Sequence, residues 1–157
     1  MRADIALPVL WGVLVAGTGA WLTELSPWYH ELKRPSWQPP DWLFGPAWTV
    51  ILGLASLSLF LALRYSQDRG GRLLILGLFV LNGVLNVLWS PLFFKLRRPD
   101  WALAEVPLLW LSILLPIVLF WPVSWIGSLL LLPYLAWVSF AAVLNLTIVR
   151  LNRPFTG

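Results

Sequence analysis

Five apolar stretches, each long enough to cross a lipid bilayer as a helix, fill most of this 157-residue chain. Runs of at least about 18 residues can span a hydrocarbon layer of roughly 30 Å. They fall at residues 5–23, 43–63, 73–94, 101–121 and 125–149, and only the fourth carries a charge, Glu105. Charged residues make up 11% of the chain, less than half the roughly 25% of soluble domains. Every backbone polar group must be satisfied inside a span, and these runs lack the alternation of barrel strands. The expected class is therefore all-α: an integral membrane bundle of five transmembrane helices forming one domain over residues 1–157, with a long connector at 24–42. The first run exceeds the apolar core of a secretory signal and has no small-residue cleavage site after it, so it is read as a permanent span.

Several chemistries drop out at once. The chain has no cysteine, which removes disulfides, thiolate metal sites and cysteine nucleophiles. Its one histidine, His30, cannot make a zinc site or a bis-histidine haem site. No metal and no obligatory cofactor are expected, and no Ser, His and Asp set converges on a hydrolytic centre. The formal charge of +4 is scattered through short loops without a run suited to nucleic acid, so none is expected as a partner. Five spans place Lys33, Arg34, Lys95, Arg97, Arg98, Arg150 and Arg153 on one face and Arg2, Arg64, Arg69 and Arg72 on the other. That bias puts the first connector and the C-terminus in the cytoplasm. Glu105 is expected to snorkel toward the interface.

The connector at 24–42 is far longer than the others. Pro27, Pro35, Pro39 and Pro40 stiffen it, and Trp28, Tyr29, Trp37 and Trp42 give it apolar surface to bury. It reads as a lid over one mouth of the bundle, or as an aromatic anchor at headgroup level. Of the twelve tryptophans, Trp21, Trp28, Trp37, Trp42, Trp48, Trp101, Trp121 and Trp125 lie near span ends. Trp11, Trp89, Trp110 and Trp137 lie deeper, where an indole N–H needs a partner.

Helical spacing places Asn82, Asn86, Trp89 and Phe93 on one stripe of the third span, and Tyr134, Trp137, Ala141 and Asn145 on one stripe of the fifth. The asparagines serve either as interhelical hydrogen-bond glue or as the polar groups of a slot with flat apolar walls, closed by Trp48. Such a slot suits a large planar molecule: a tetrapyrrole, a sterol or a polycyclic drug. His30, Lys33 and Arg34 are available at the rim for carboxylates.

The connector pattern Trp28-Tyr29-x-x-Leu32-x-Arg34-Pro35-x-Trp37-x-Pro39-Pro40 occurs here with Trp89-Ser90-Pro91-Leu92-Phe93-Phe94, Pro133-Tyr134-x-x-Trp137 and Leu144-Asn145. In this order the motifs resemble the translocator protein family, also called tryptophan-rich sensory proteins or peripheral benzodiazepine receptors. The resemblance implies a dimer that binds porphyrins, haem, sterols and benzodiazepine-type drugs beneath the first connector, as sensor, scavenger or transporter. It implies ligand-binding positions at Tyr29, Trp48, Asn82, Asn86, Trp89, Phe93, Tyr134, Trp137 and Ala141, to which Trp37 of the connector is added. It also implies light-dependent porphyrin breakdown at Trp48 and Trp137. Arg34 stands where the family usually has Lys, and Leu146 where the sterol pattern of animal members needs an aromatic.

Overall fold

The computed structural model describes the backbone of residues 2–156; Met1, Gly157 and the Arg2 side chain, all included in the reading above, lie outside the described part. Helices α1 (Arg2–Leu22), α2 (Pro27–Glu31), α3 (Asp41–Tyr65), α4 (Arg69–Ser90), α5 (Pro99–Leu119), α6 (Trp125–Leu130) and α7 (Leu132–Asn152) follow one another, with a π-helical turn at Pro91–Lys95. Among the described residues there is no strand, and five helical stretches are long and apolar enough to cross a membrane. Long helices that are consecutive in the chain run antiparallel. α1 packs on α3 and α4, α5 on α4 and α7, and α6 on α3.

Prolines set the irregularities. Leu96 N–H reaches back five residues to the Pro91 carbonyl at 2.9 Å, the wide turn that a missing proline N–H invites. The fifth span is not one helix. It breaks at Leu131, because Pro133 cannot donate to the preceding turn and instead opens α7, where its fixed φ fits. Pro46 lies in the second turn of α3, beyond the opening turn that harmlessly accommodates a proline.

Away from the lid, Arg72 at the start of α4 ties three helices by donating to the Asp4 carboxylate of α1 and to the Leu63 carbonyl of α3. Deeper in, Trp11 Nε1–H donates to the Phe79 carbonyl at 2.7 Å, which brings the Nε1–Cδ1 edge of the indole against Gly83. A Cβ at Gly83 would come within 2.9 Å of that nitrogen and 3.0 Å of Val15 Cγ2. Glycine here permits α1 and α4 to touch.

Among the tryptophans near span ends, Trp21, Trp37, Trp42, Trp101, Trp121 and Trp125 are exposed, as an interfacial belt requires. Lys95 lies 4.8 Å over the Trp21 ring and Arg98 4.4 Å over Trp101. Trp28 and Trp48 turn inward. Glu105 corrects the sequence expectation: it does not snorkel. It lies on the face of α5 shared with Ala102, Leu109 and Ser112, only 6% exposed.

Candidate functional site

The connector folds over the end of the bundle and is held there at several points. Tyr29, on α2, donates from its hydroxyl to Asp41 Oδ1 at 2.8 Å and accepts from Gln38 Nε2 at 3.2 Å. Arg34 lies 5.0 Å over the Tyr29 ring and 3.5 Å from the same Asp41 oxygen. On the far side Asn152, at the end of α7, grips the backbone of Lys33: the Lys33 N–H donates to Asn152 Oδ1 at 2.9 Å, and Asn152 Nδ2 donates to the Lys33 carbonyl at 2.8 Å. Beneath, Trp28 packs edge-on against Phe93, and Tyr29 packs at a tilt against Phe94, both partners from the π turn. Trp37 packs edge-on against Phe140 of α7.

Burial, followed by the Asp41 hydrogen bond, holds the Tyr29 phenol above its ordinary value near 10. The neutral phenol is the form the closed lid favours, so its contribution is complete below about pH 10 and is lost as pH rises through the shifted value. We expect hydrogen exchange at the Lys33 amide to accelerate in step with phenolate absorbance above that pH. Tyr29→Phe should show faster exchange already at neutral pH. Unchanged Lys33 protection in both experiments would remove Tyr29 as a lid fastener.

Below the lid, a polar seam runs between α4, α5 and α7. Asn82 donates to Ser112 Oγ at 2.9 Å and accepts from the Tyr134 hydroxyl at 3.1 Å, while Asn86 donates to that hydroxyl at 2.7 Å. Closer to the lid Asn145, with its amide turned to suit its neighbours, donates to the Pro99 carbonyl at 3.0 Å. Its oxygen accepts from Trp89 Nε1–H at 3.3 Å and from the Leu103 N–H at 3.1 Å. Trp110 Nε1–H finds Ser139 Oγ at 2.9 Å. The asparagines therefore bridge helices, as buried amides at membrane depth must.

Beside the seam stands an aromatic cluster. Trp48 of α3 meets Tyr134 and Trp137 of α7 edge-on, with ring centroids 5.9 and 6.3 Å apart. Phe44 and Phe140 pack on Trp137 at 5.7 and 5.4 Å. These rings correct the picture of an open slot. The space left between Asn82, Ser112 and Tyr134 measures about 10 Å³, roughly room for a single water. A groove of about 550 Å³ lies instead on the flank between α3 and α7, walled by Pro46, Ala47 and Val50 on one side and Pro133, Ala136 and Trp137 on the other. It is lined almost wholly by carbon and lies within the membrane-spanning stretches.

The sequence matches the model of the TspO/MBR family over residues 5–151. It is 37% identical to Protein CrtK of Rhodobacter capsulatus over 158 residues, covering 98% of this chain and 99% of that one. It is 42% identical to the tryptophan-rich protein TspO of Chlorobaculum tepidum over 126 residues, 80% of each. The human translocator protein is 34% identical over 134 residues, 83% of this chain and 78% of that one. The chain belongs to the TspO/MBR family.

In this TspO/MBR protein the positions singled out from sequence divide into three groups. Tyr29, Trp89 and Phe93 meet under the lid, where Trp89 stacks on Phe93 at 4.8 Å. Asn82, Asn86 and Tyr134 form one hydrogen-bonded knot, and Trp48 and Trp137 pack between that knot and the groove. Ala141 is half-buried one turn beyond Trp137. Trp37 is 47% exposed at the groove's lid end, His30 and Lys33 face solvent, and Arg34 is engaged by Asp41. Sequence reasoning missed Asp41, Gln38, Ser112, Phe44, Phe140 and Asn152. For Ser112 a signal existed, because it shares the Glu105 face of α5; for Asn152 there was none, since its partner lies 119 residues away.

Proposed function

We propose that this TspO/MBR member binds flat, largely apolar molecules, tetrapyrroles first among them, at the Trp48–Tyr134–Trp137 cluster. The observation that carries the reading is a carbon-lined groove walled in part by Trp137, whose ring packs on Trp48 behind it, with the lid over the end of the bundle. A guest dissolved in the bilayer enters between α3 and α7, displaces edge-on ring contacts and substitutes its own face for them. Exposed Lys33 and His30 receive peripheral carboxylates. Protoporphyrin and haem fit this description, and benzodiazepine-type drugs compete for the same rings. A sterol fits less well, given Leu146 in place of an aromatic. The reading extends to a homodimer, from the family resemblance, and to a lid facing the cytoplasm, from the bias in basic residues. In such a protein the pocket serves sensing, scavenging or transport of the guest.

The test is a dark titration of purified protein with protoporphyrin, followed by tryptophan fluorescence. Saturable quenching is expected. A linear, non-saturating response indistinguishable from that of empty micelles would sink the proposal.

A second reading is favoured by one specific observation, the adjacency of the Trp48 and Trp137 rings. Two neighbouring indoles can donate electrons to an excited porphyrin held against them while oxygen attacks the macrocycle. Under light and oxygen, the Trp48→Phe, Trp137→Phe double variant is expected to lose the decay of porphyrin absorbance. A decay rate equal to wild type discards this second reading and leaves binding untouched.

A further inference from the structure

The turn between α4 and α5 carries more positive charge than its own ion pairs consume. Three basic residues lie within Lys95–Arg98, and one acid, Asp100, follows them. Asp100 is occupied by Arg98, which donates from two nitrogens to its two oxygens. Among the described residues no carboxylate pairs with Lys95 or Arg97: Asp41 is taken by Arg34 and Asp4 by Arg72. Both cations are exposed, as is Leu96 between them at 52%. Lys95 lies over Trp21, 76% exposed on α1, and Arg98 over Trp101, 50% exposed on α5, so an indole stands at each end of the turn.

Exposed indoles at span ends sit at headgroup depth, and the turn they bracket lies there with them. Two unmatched cations separated by an exposed leucine suit a partner that is anionic at one end and apolar at the other. The backbone adds a separate observation. Arg97 has φ 54°, the left-handed region that costs a residue with a side chain but not glycine. The turn needs this conformation where the Arg98 N–H reaches back to the Leu92 carbonyl at 3.0 Å, and for the backbone alone glycine would serve better. The arginine thus sets a guanidinium in the turn at a steric cost. We propose that Lys95 and Arg97 form a site for the headgroup of an anionic phospholipid. The ammonium and the guanidinium hold the phosphodiester, and the upper acyl chain lies along Leu96 and Trp21. A zwitterionic headgroup fits less well, because it brings its own ammonium among these cations. The site shares no residue with the guest groove between α3 and α7.

The experiment adds phosphatidylglycerol or phosphatidylcholine with the same acyl chains to the purified full chain in detergent, at one fixed ionic strength, and counts bound lipid by native mass spectrometry. Wild type is expected to take its first phosphatidylglycerol at least about tenfold more tightly than phosphatidylcholine, the scale of two basic groups near an anionic surface. The Lys95→Gln, Arg97→Gln double variant should lose that preference. The Arg150→Gln, Arg153→Gln double variant, an equal loss of charge at the same end of the bundle, should keep it. Arg97→Gly should weaken the preference while melting at or above the wild-type temperature, because glycine relieves the left-handed backbone. Inorganic phosphate in large excess should leave the bound phosphatidylglycerol in place. Equal binding of the two lipids by wild type, or a preference surviving in the Lys95, Arg97 double variant, overturns the proposal. Equal loss in the Arg150, Arg153 variant reduces the effect to net charge and overturns it as well, and displacement by inorganic phosphate removes the lipid as the occupant.

Discussion

Trp137→Ala is expected to weaken dark protoporphyrin binding by about 10- to 100-fold, or about 1.4–2.8 kcal/mol. The indole is the hinge of the aromatic cluster: it touches Trp48, Phe44 and Phe140 and forms part of the groove wall. Lipid tails are as apolar as leucine, so burial alone does not drive a guest out of the bilayer; ring-on-ring geometry must. Each such contact contributes about 0.5–1.5 kcal/mol beyond area burial. Removing Trp137 deletes its own contact with the guest and frees three supporting rings to drift. Trp137→Phe keeps a ring and should fall between the alanine variant and wild type. A binding curve for Trp137→Ala that overlays wild type would move the site away from this cluster.

Gly83→Ala is expected to be the more damaging change to stability. Its new Cβ would meet Trp11 Nε1 at 2.9 Å, and Trp11 cannot swing aside without giving up its bond to the Phe79 carbonyl. Overpacking costs about 1–3 kcal/mol, and a stranded buried partner adds about 1–3 kcal/mol more. At roughly 2–4 °C per kcal/mol for a chain of this size, the melting temperature should drop by about 4–24 °C. Gly77→Ala is the control, because nothing lies within 4 Å of a Cβ there and alanine is the better helix former. It should melt at or slightly above wild type. Equal melting of the two alanine variants would mean that α1 and α4 do not depend on close approach at Gly83.

The five spans were readable because lipid leaves the backbone few choices, and the third- and fifth-span stripes because a 3.6-residue period is stiff. Asn82, Asn86 and Tyr134 do converge. Other features depend on three-dimensional facts that periodicity does not carry. Pro133 was visible as a bend, but whether a proline bends or divides a span depends on what packs beside it, and here α6 leaves α7 to lie on α3. Glu105 near a span end suggested an easy reach to water, yet its face of α5 is covered by α4 and α7, so the side chain has no outward path. The slot was inferred from the right residues and then found filled, because flat side chains that suit a planar guest also suit one another. The groove could not be foreseen at all. It arises between α3 and α7, where small Ala47 and Ala136 both line the gap without filling it.

Trp137 and Asn152 ride on the same rod, α7, about 22 Å apart at 1.5 Å per residue. One end borders the guest's groove; the other clasps the lid at Lys33. Under the proposed function, a guest that shifted the rod would alter the clasp, and by thermodynamic reciprocity a molecule that tightened the clasp would alter guest retention by the same factor. On the proposed reading, occupancy of the groove would then be legible at the lid.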